Sequence, residues 1–357
     1  MSTNLPGRLG DADRTLESDP RLDPRIKAAL EMAGALGGDV ELVDPNAGYE
    51  ECLQYCAAFE ATAEAAHPVA EAMMPDYPDV ESWTEVIQGV DGNDISLYLH
   101  KPKSVTGPVP AVVHTHGGGM VVMTAADPGF VRWRNDLASA GLLVVGVEFR
   151  NGGGKLGNHP FPAGLNDCAA ATQWVHANRQ QLGISAIVIS GESGGGNLSI
   201  ATTLKASQEG WLEQIDGVYA CCPYISGTYI EPPADLVSQV ENADYMLAAQ
   251  TMGALVKVYD PSGQHASDPL AWPLHASLEQ LQGLPPHIIS VNELDPLRDE
   301  GLAFYRKLMT AGVSVAARTV HGTPHAGDLM FADVNPEVYA ETLRSVVGFA
   351  NSLVPQD

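Results

Sequence analysis

From about residue 82 onward, short apolar runs alternate with stretches of helical periodicity, whereas the chain before about residue 77 is patterned for helix alone. In that early part, Asp23-Pro24-Arg25-Ile26-Lys27-Ala28-Ala29-Leu30 predicts a helix, because Asp23 can cap it and Pro24 takes the first helical position. Segments 83–90 and 95–100 are β-rich and flank Asp91-Gly92-Asn93, which predicts a hairpin. Further strands are predicted at 111–114, 142–149, 186–190, 218–222, 287–291 and 313–320. Helices are predicted at 127–140, 167–180, 197–208, 298–311 and 337–353. Continuous Val/Ile/Leu strands alternating with helices predict a mostly parallel α/β sheet covered on both faces. The rhythm breaks over 223–258, which reads as a helical insertion, and no internal repeat or low-complexity tract is present. The expected organisation is a helical segment over 1–80 followed by an α/β domain over 81–357 that carries the insertion.

Composition narrows the function. Apolar residues make up 45% of the 357 and charged residues 18%, enough for a large core and against disorder. Lys plus Arg number 19 against 44 Asp plus Glu, a formal charge of −25. Such a surface repels phosphate backbones and anionic headgroups, so nucleic acid and acidic membranes are not expected partners. It suits salt tolerance or plain solubility. The five cysteines are too few and too scattered for a disulfide framework; Cys52 and Cys56 stand at i, i+4 on a predicted helix without a second pair to complete a zinc site, so buried free thiols are expected. The N-terminal residues carry no basic and apolar regions of the secretory kind, and no apolar run reaches the ~20 residues a membrane span needs. A reduced, cytoplasmic setting is the expectation.

Gly191-Glu192-Ser193-Gly194-Gly195 lies between the predicted strand at 186–190 and the helix that follows. This is G-x-S-x-G at a strand-to-helix turn, the nucleophile elbow. A serine in so sharp a turn needs neighbours without a Cβ two residues before and after it. The following helix aims its N-terminal N–H groups at the Ser193 hydroxyl, favouring negative charge there.

His116-Gly117-Gly118-Gly119 follows the predicted strand at 111–114. Three glycines free the backbone so that successive N–H groups can converge on one oxygen, as the oxyanion of acyl transfer requires. Gly118, Gly119 and Gly194 are the candidate oxyanion donors. His114 and His116 project to one side of a strand and could pair on a metal, but no H-E-x-x-H or similar motif accompanies them, and neither metal nor cofactor is expected.

A nucleophilic serine needs a base, and the base an orienting acid, in the chain order Ser, acid, His. His321 and His325 both follow the last predicted strand, and His325, further out between Pro324 and small residues, is favoured. The acid should lie after the strand at 287–291, in Asn292-Glu293-Leu294-Asp295-Pro296-Leu297-Arg298-Asp299-Glu300. Position alone leaves Asp295, Glu293, Asp299 and Glu300 open, since Asp295-Pro296 also reads as a helix cap.

Taken together, His116-Gly117-Gly118-Gly119, His159-Pro160-Phe161-Pro162-Ala163, Gly191-Glu192-Ser193-Gly194-Gly195-Gly196-Asn197 and Asp295-Pro296-Leu297-Arg298-Asp299-Glu300 resemble the hormone-sensitive-lipase-like family of α/β-hydrolases, most of all its brefeldin A esterase branch, over roughly residues 80 to 350. The resemblance implies the α/β-hydrolase fold with a helical cap, built from the segment to about Tyr77 and the insertion after Cys222. It also implies Asp295 as the triad acid and His325 as the base. Pairing of two chains through the sheet edge is a family habit that leaves a homodimer as an option. The chain departs from the family pattern at Phe149-Arg150-Asn151-Gly152-Gly153-Gly154-Lys155, at Met120, where an aromatic is usual, and at His325-Ala326-Gly327, where His-Gly-Phe is usual. These positions surround the expected pocket, so acyl and alcohol preferences do not carry over.

The expected activity is hydrolysis of short- to medium-chain carboxylic esters, lactones being a further option, through Ser193, His325 and Asp295. The alternatives are acyl transfer from the same acyl-enzyme and a binding-only member of the fold.

Overall fold

The computed structural model describes residues 7–34, 42–105 and 107–354. Residues 1–6, where the reading of the N-terminus begins, lie outside the described residues. Eight strands form one sheet in the order β1-β2-β4-β3-β5-β6-β7-β8: β1 (Val80–Gln88), β2 (Asp94–Pro102), β3 (Val109–Thr115), β4 (Leu143–Val147), β5 (Ile184–Glu192), β6 (Gly217–Cys221), β7 (His287–Asn292) and β8 (Val315–Val320). The first two form the antiparallel hairpin, with Gly92 at φ +78° in its turn, and β2 pairs antiparallel with β4; all pairings from β4 through β3 to β8 are parallel.

Burial of both faces explains the unbroken apolar runs. Val112, Val144 and Val188 stand side by side in register and enter one core, while Val113, Val145 and Ile189 enter the core on the other face. The first core is closed by α4 (Pro128–Ser139) and α9 (Pro336–Ser352), through Trp133, Leu137, Tyr339 and Val346. On the opposite face lie α5 (Ala163–Ala177), α6 (Gly194–Glu209) and α8 (Arg298–Thr310), contributing Leu165, Leu198, Leu204 and Phe304.

Ahead of the sheet run α1 (Pro24–Met32), α2 (Tyr49–Glu64) and α3 (His67–Ala72). Asp23 caps α1 by accepting the Arg25 N–H, with Pro24 at its first position, and Cys52 and Cys56 are buried on α2. Helix α5 starts at Ala163, four residues before the predicted bound, because the turn 160–163 already leads into it. The stretch expected as a helical insertion is largely irregular: only Ser238–Glu241 and α7 (Ala249–Tyr259) are helical there, and α7 packs against α2. Among the described residues, no helix is long and apolar enough to cross a membrane.

From β3 the chain crosses to β4 on one side and returns to β5 on the other. That reversal opens a crevice at the carboxyl ends of β3 and β5, the place where open α/β sheets bind ligands.

Candidate active site

Ser193 sits between β5 and α6 with φ +56° and ψ −118°, a conformation that costs an L-residue about 1–3 kcal/mol unless its surroundings impose it. They do so through three backbone bonds: the Ser193 N–H donates to Cys221 O (2.9 Å), and Ser193 O accepts from Asn197 N–H (3.0 Å) and Tyr224 N–H (3.1 Å). A Cβ on Gly191 or Gly195 would come 2.2 or 1.9 Å from the carbonyl oxygen of Thr115 on β3. The two motif glycines are therefore needed because the neighbouring strand end passes against the elbow. The Thr115 hydroxyl then donates to Gly195 O at 2.8 Å, fastening β3 to the start of α6.

The loop after β3 carries the triple glycine. Gly118 (φ +98°) and Gly119 (φ +62°) lie in left-handed backbone, and the Gly118 carbonyl accepts from the N–H groups of Val121 and Val122, both at 3.1 Å. A Cβ on Gly194 would lie 2.6 Å from the amide nitrogens of Gly119 and Met120. Glycine at 194 is what lets the elbow and this loop touch.

Behind the loop, Glu192 reaches across two elements. Its carboxylate accepts the Gly117 N–H at 2.8 Å and the His114 ring N–H at 3.1 Å. His116 stacks on Phe149 with ring centroids 4.1 Å apart and donates to Gly117 O at 2.8 Å. The two histidines weighed as a metal pair thus brace the loop. Sequence reasoning assigned no role to Glu192, although a carboxylate at the end of an apolar strand was the signal available.

On the other side, His325 follows β8 and Asp295 follows β7. The His325 Nδ1–H donates to Asp295 Oδ2 at 2.8 Å, and the other carboxylate oxygen accepts the Leu297 N–H at 2.8 Å. Asp295 is fully buried. Burial opposes charge on the His325 ring, but the adjacent Asp295 carboxylate, together with Cys222, outweighs it and holds the imidazole pKa well above its ordinary value. Cys222 lies close by, its Sγ within 4.8 Å of both partners. Its thiol is pushed up to about 12 by burial and adds no charge at neutral pH. Although these three residues offer metal-type ligand atoms, Asp295 and His325 already satisfy each other.

Of the remaining candidates for acid and base, Glu293 accepts the Gly322 N–H at 2.9 Å and pairs with His321 at 3.1 Å, with the His321 side chain 76% exposed. Asp299 bonds the Ser238 N–H, and Glu300 is buried against the segment 225–239.

Ser193, His325, Gly118 and Gly119 line one cavity of about 370 Å³. Its walls are mainly apolar, among them Phe59 from α2, Phe130 and Trp133 from α4, Leu255 from α7, and Leu329 and Met330 beyond His325. Among the described residues no Lys or Arg lines it, whereas the carboxylates of Asp127 and Glu192 do, so an apolar ligand of modest size without negative charge fits it best. Ala326, directly after the histidine, holds φ +52°, the conformation that a glycine, usual there in the resembled family, takes without strain.

A family described as having the alpha/beta hydrolase fold matches residues 112–328. The chain is similar to "Carboxylesterase NlhH" of Mycobacterium tuberculosis, 33% identical over 275 residues, spanning 74% of this chain and 81% of that protein. It is 28% identical over 295 residues to "Tuliposide A-converting enzyme b3, amyloplastic" of Tulipa gesneriana, covering 78% and 73% of the two chains. Among solved structures, brefeldin A esterase, "a bacterial homologue of human hormone sensitive lipase", superposes with a TM-score of 0.93 at 45% identity, over 98% of this chain and 99% of that one. Esterase Est22 follows with a TM-score of 0.85 at 38% identity, over 94% and 98%.

Proposed function

The chain belongs to the hormone-sensitive-lipase-like carboxylesterases of the α/β-hydrolase fold, a hydrolase acting on ester bonds, and from that premise we propose that it works through Ser193, His325 and Asp295. The observation that carries the proposal is that His325, bonded to Asp295 at 2.8 Å, and Ser193, in its strained turn, line the same cavity.

Ser193 Oγ attacks the ester carbonyl while His325 Nε2 takes its proton. Asp295 holds the ring through Nδ1 and stabilises the imidazolium that forms. The amides of Gly118, Gly119 and Gly194 receive the oxyanion, a contribution worth about 3–4 kcal/mol of barrier per donor in comparable sites. His325 returns its proton to the departing alcohol, and water, activated by the same base, frees the acid. The mainly apolar cavity, without Lys or Arg among the described residues, supports short- to medium-chain uncharged esters as substrates, with Phe59 and Ala63 from α2 and Thr251 and Leu255 from α7 as its lid.

Ser193→Ala tests this. Turnover of a p-nitrophenyl acyl ester and labelling by a fluorophosphonate probe should both vanish while the circular dichroism spectrum is retained. Undiminished hydrolysis by a folded Ser193→Ala protein would refute the assignment.

A further inference from the structure

One carboxylate outside the site touches both loops that frame the candidate oxyanion donors. Glu60 lies on α2 between Phe59 and, one turn on, Ala63, which both line the cavity, yet Glu60 itself is only 2% exposed and its carboxylate meets the loops. Its Oε1 accepts the Met123 N–H at 2.6 Å and its Oε2 the Lys155 N–H at 2.8 Å. Met123 closes the glycine loop after β3, and Lys155 closes Phe149-Arg150-Asn151-Gly152-Gly153-Gly154-Lys155, one of the segments in which this chain departs from the usual family pattern.

These two loops are laced together. Gly152 and Gly153 donate to Met120 O and Val121 O, both at 2.9 Å, and Asn151 Nδ2 donates to Met123 O at 2.6 Å. Met120 (φ +62°), Met123 (φ +72°) and Gly154 (φ +62°) are all left-handed. Such a conformation costs an ordinary residue about 1–2 kcal/mol, so Met120 keeps it only while its carbonyl stays bonded and Met123 while its amide and carbonyl do. The path from Glu60 to the donors is short: Met123 follows Val122, and the Val121 and Val122 N–H groups hold the Gly118 carbonyl that precedes the Gly119 amide.

We infer that Glu60 is a positioning residue, through which the N-terminal helix α2 sets the Gly118–Gly119 donors for the ester reaction. The inference rests on the proposed function, because it gives those amides their task. Seating α2 against the loops and assembling the oxyanion hole are then one event, which couples the residues lining the cavity to the reacting centre.

The test separates kcat from KM. In Glu60→Gln the side chain keeps its shape, but one of the two backbone donors faces an NH₂ group. Its kcat for a p-nitrophenyl acyl ester should fall about tenfold or more, with KM within about twofold. A trifluoromethyl ketone, which adds the serine hydroxyl and places an oxyanion in the hole, should lose affinity in step with kcat/KM. Gly154→Ala presses the same carboxylate from the opposite side, since its Cβ would lie 2.5 Å from Glu60 Oε2, and should reproduce the pattern without altering α2. Glu64→Ala, which breaks the surface pair of Glu64 with Lys155, should leave kcat unchanged. The inference is overturned if a folded Glu60→Gln keeps full kcat, if Gly154→Ala keeps it where Glu60→Gln fails to fold, or if the loss in both variants falls on KM alone. Failure of the triad itself would show differently, as a wild-type protein indifferent to the ketone.

Discussion

His325 and Asp295, thirty residues apart in the chain, meet Nδ1 to Oδ2 at 2.8 Å, while on the same two loops Glu293 and His321 form a second acid–imidazole pair at 3.1 Å. The first pair is buried and its histidine lines the cavity with Ser193; the ring of the second stands in solvent. Removing the exposed pair should therefore do little. His321→Ala is expected to keep kcat/KM within about threefold, since exposed ion pairs contribute about 0–1 kcal/mol. His325→Ala should lose about 10⁴-fold or more. Steady-state kinetics of the two variants side by side decides the matter, and the reverse ranking would reassign the base.

Asp295 bears on the protonation of the proposed base. Because its carboxylate outweighs burial and raises the His325 pKa, the acid limb of kcat/KM should have its midpoint above the ordinary histidine value of about 6.5, activity being lost as pH falls through it. Asp295→Asn removes the nearest opposing charge while the burial stays. Its limb should shift below that of the wild type while kcat drops about 10⁴-fold, as read from pH–rate profiles of both proteins.

At position 194, a methyl group would enter the space held by the amides of Gly119 and Met120. Gly194→Ala should force the elbow and the glycine loop apart, lowering kcat about 10²- to 10³-fold through lost oxyanion contacts. Binding of an apolar ester should change much less, so a variant whose KM rises and whose kcat holds would contradict this account.

Glu300 offers a test of stability. Its carboxylate accepts from the Ile225 N–H (2.7 Å), the Ser226 N–H (3.3 Å), the Tyr229 hydroxyl (3.0 Å) and Gln239 Nε2 (3.2 Å), joining α8 to the segment after β6. Glu300→Ala strands these buried donors and should cost about 2–4 kcal/mol in urea unfolding.

The same group makes stability depend on pH. Burial, working against those hydrogen bonds, pushes the Glu300 carboxyl up to about 7. The unfolded chain releases this proton near about 4.3, well before the folded one does. The contribution is thus fully present below the unfolded value and declines as pH rises to about 7. Glu300→Gln has no such proton, so the difference in unfolding free energy between wild type and variant should slope across that interval and level off above it.

Much of this molecule was legible along the chain because its determinants are local. A strand buried on both faces must be apolar at every position, as Val112, Val113, Val144 and Val145 are, and a helix declares itself by caps such as Asp23-Pro24. The elbow and the glycine loop were legible too, since a backbone that must turn sharply or lie against another excludes a Cβ wherever it does so. Position along the chain favoured His325 over His321 but left Asp295, Glu293, Asp299 and Glu300 open as the acid, and only the family resemblance named Asp295. Glu293 and Asp295 differ in the direction the loop carries them after β7. Glu60 resembles any other acidic residue until folding brings Met123 and Lys155 to its carboxylate, and Glu192 is marked by its place at the end of an apolar strand but not by its partners. Patterning acts over a few residues and so wrote the fold and the candidate serine; the partners of charged side chains are long-range, and only the packed sheet with its crossing loops chose them.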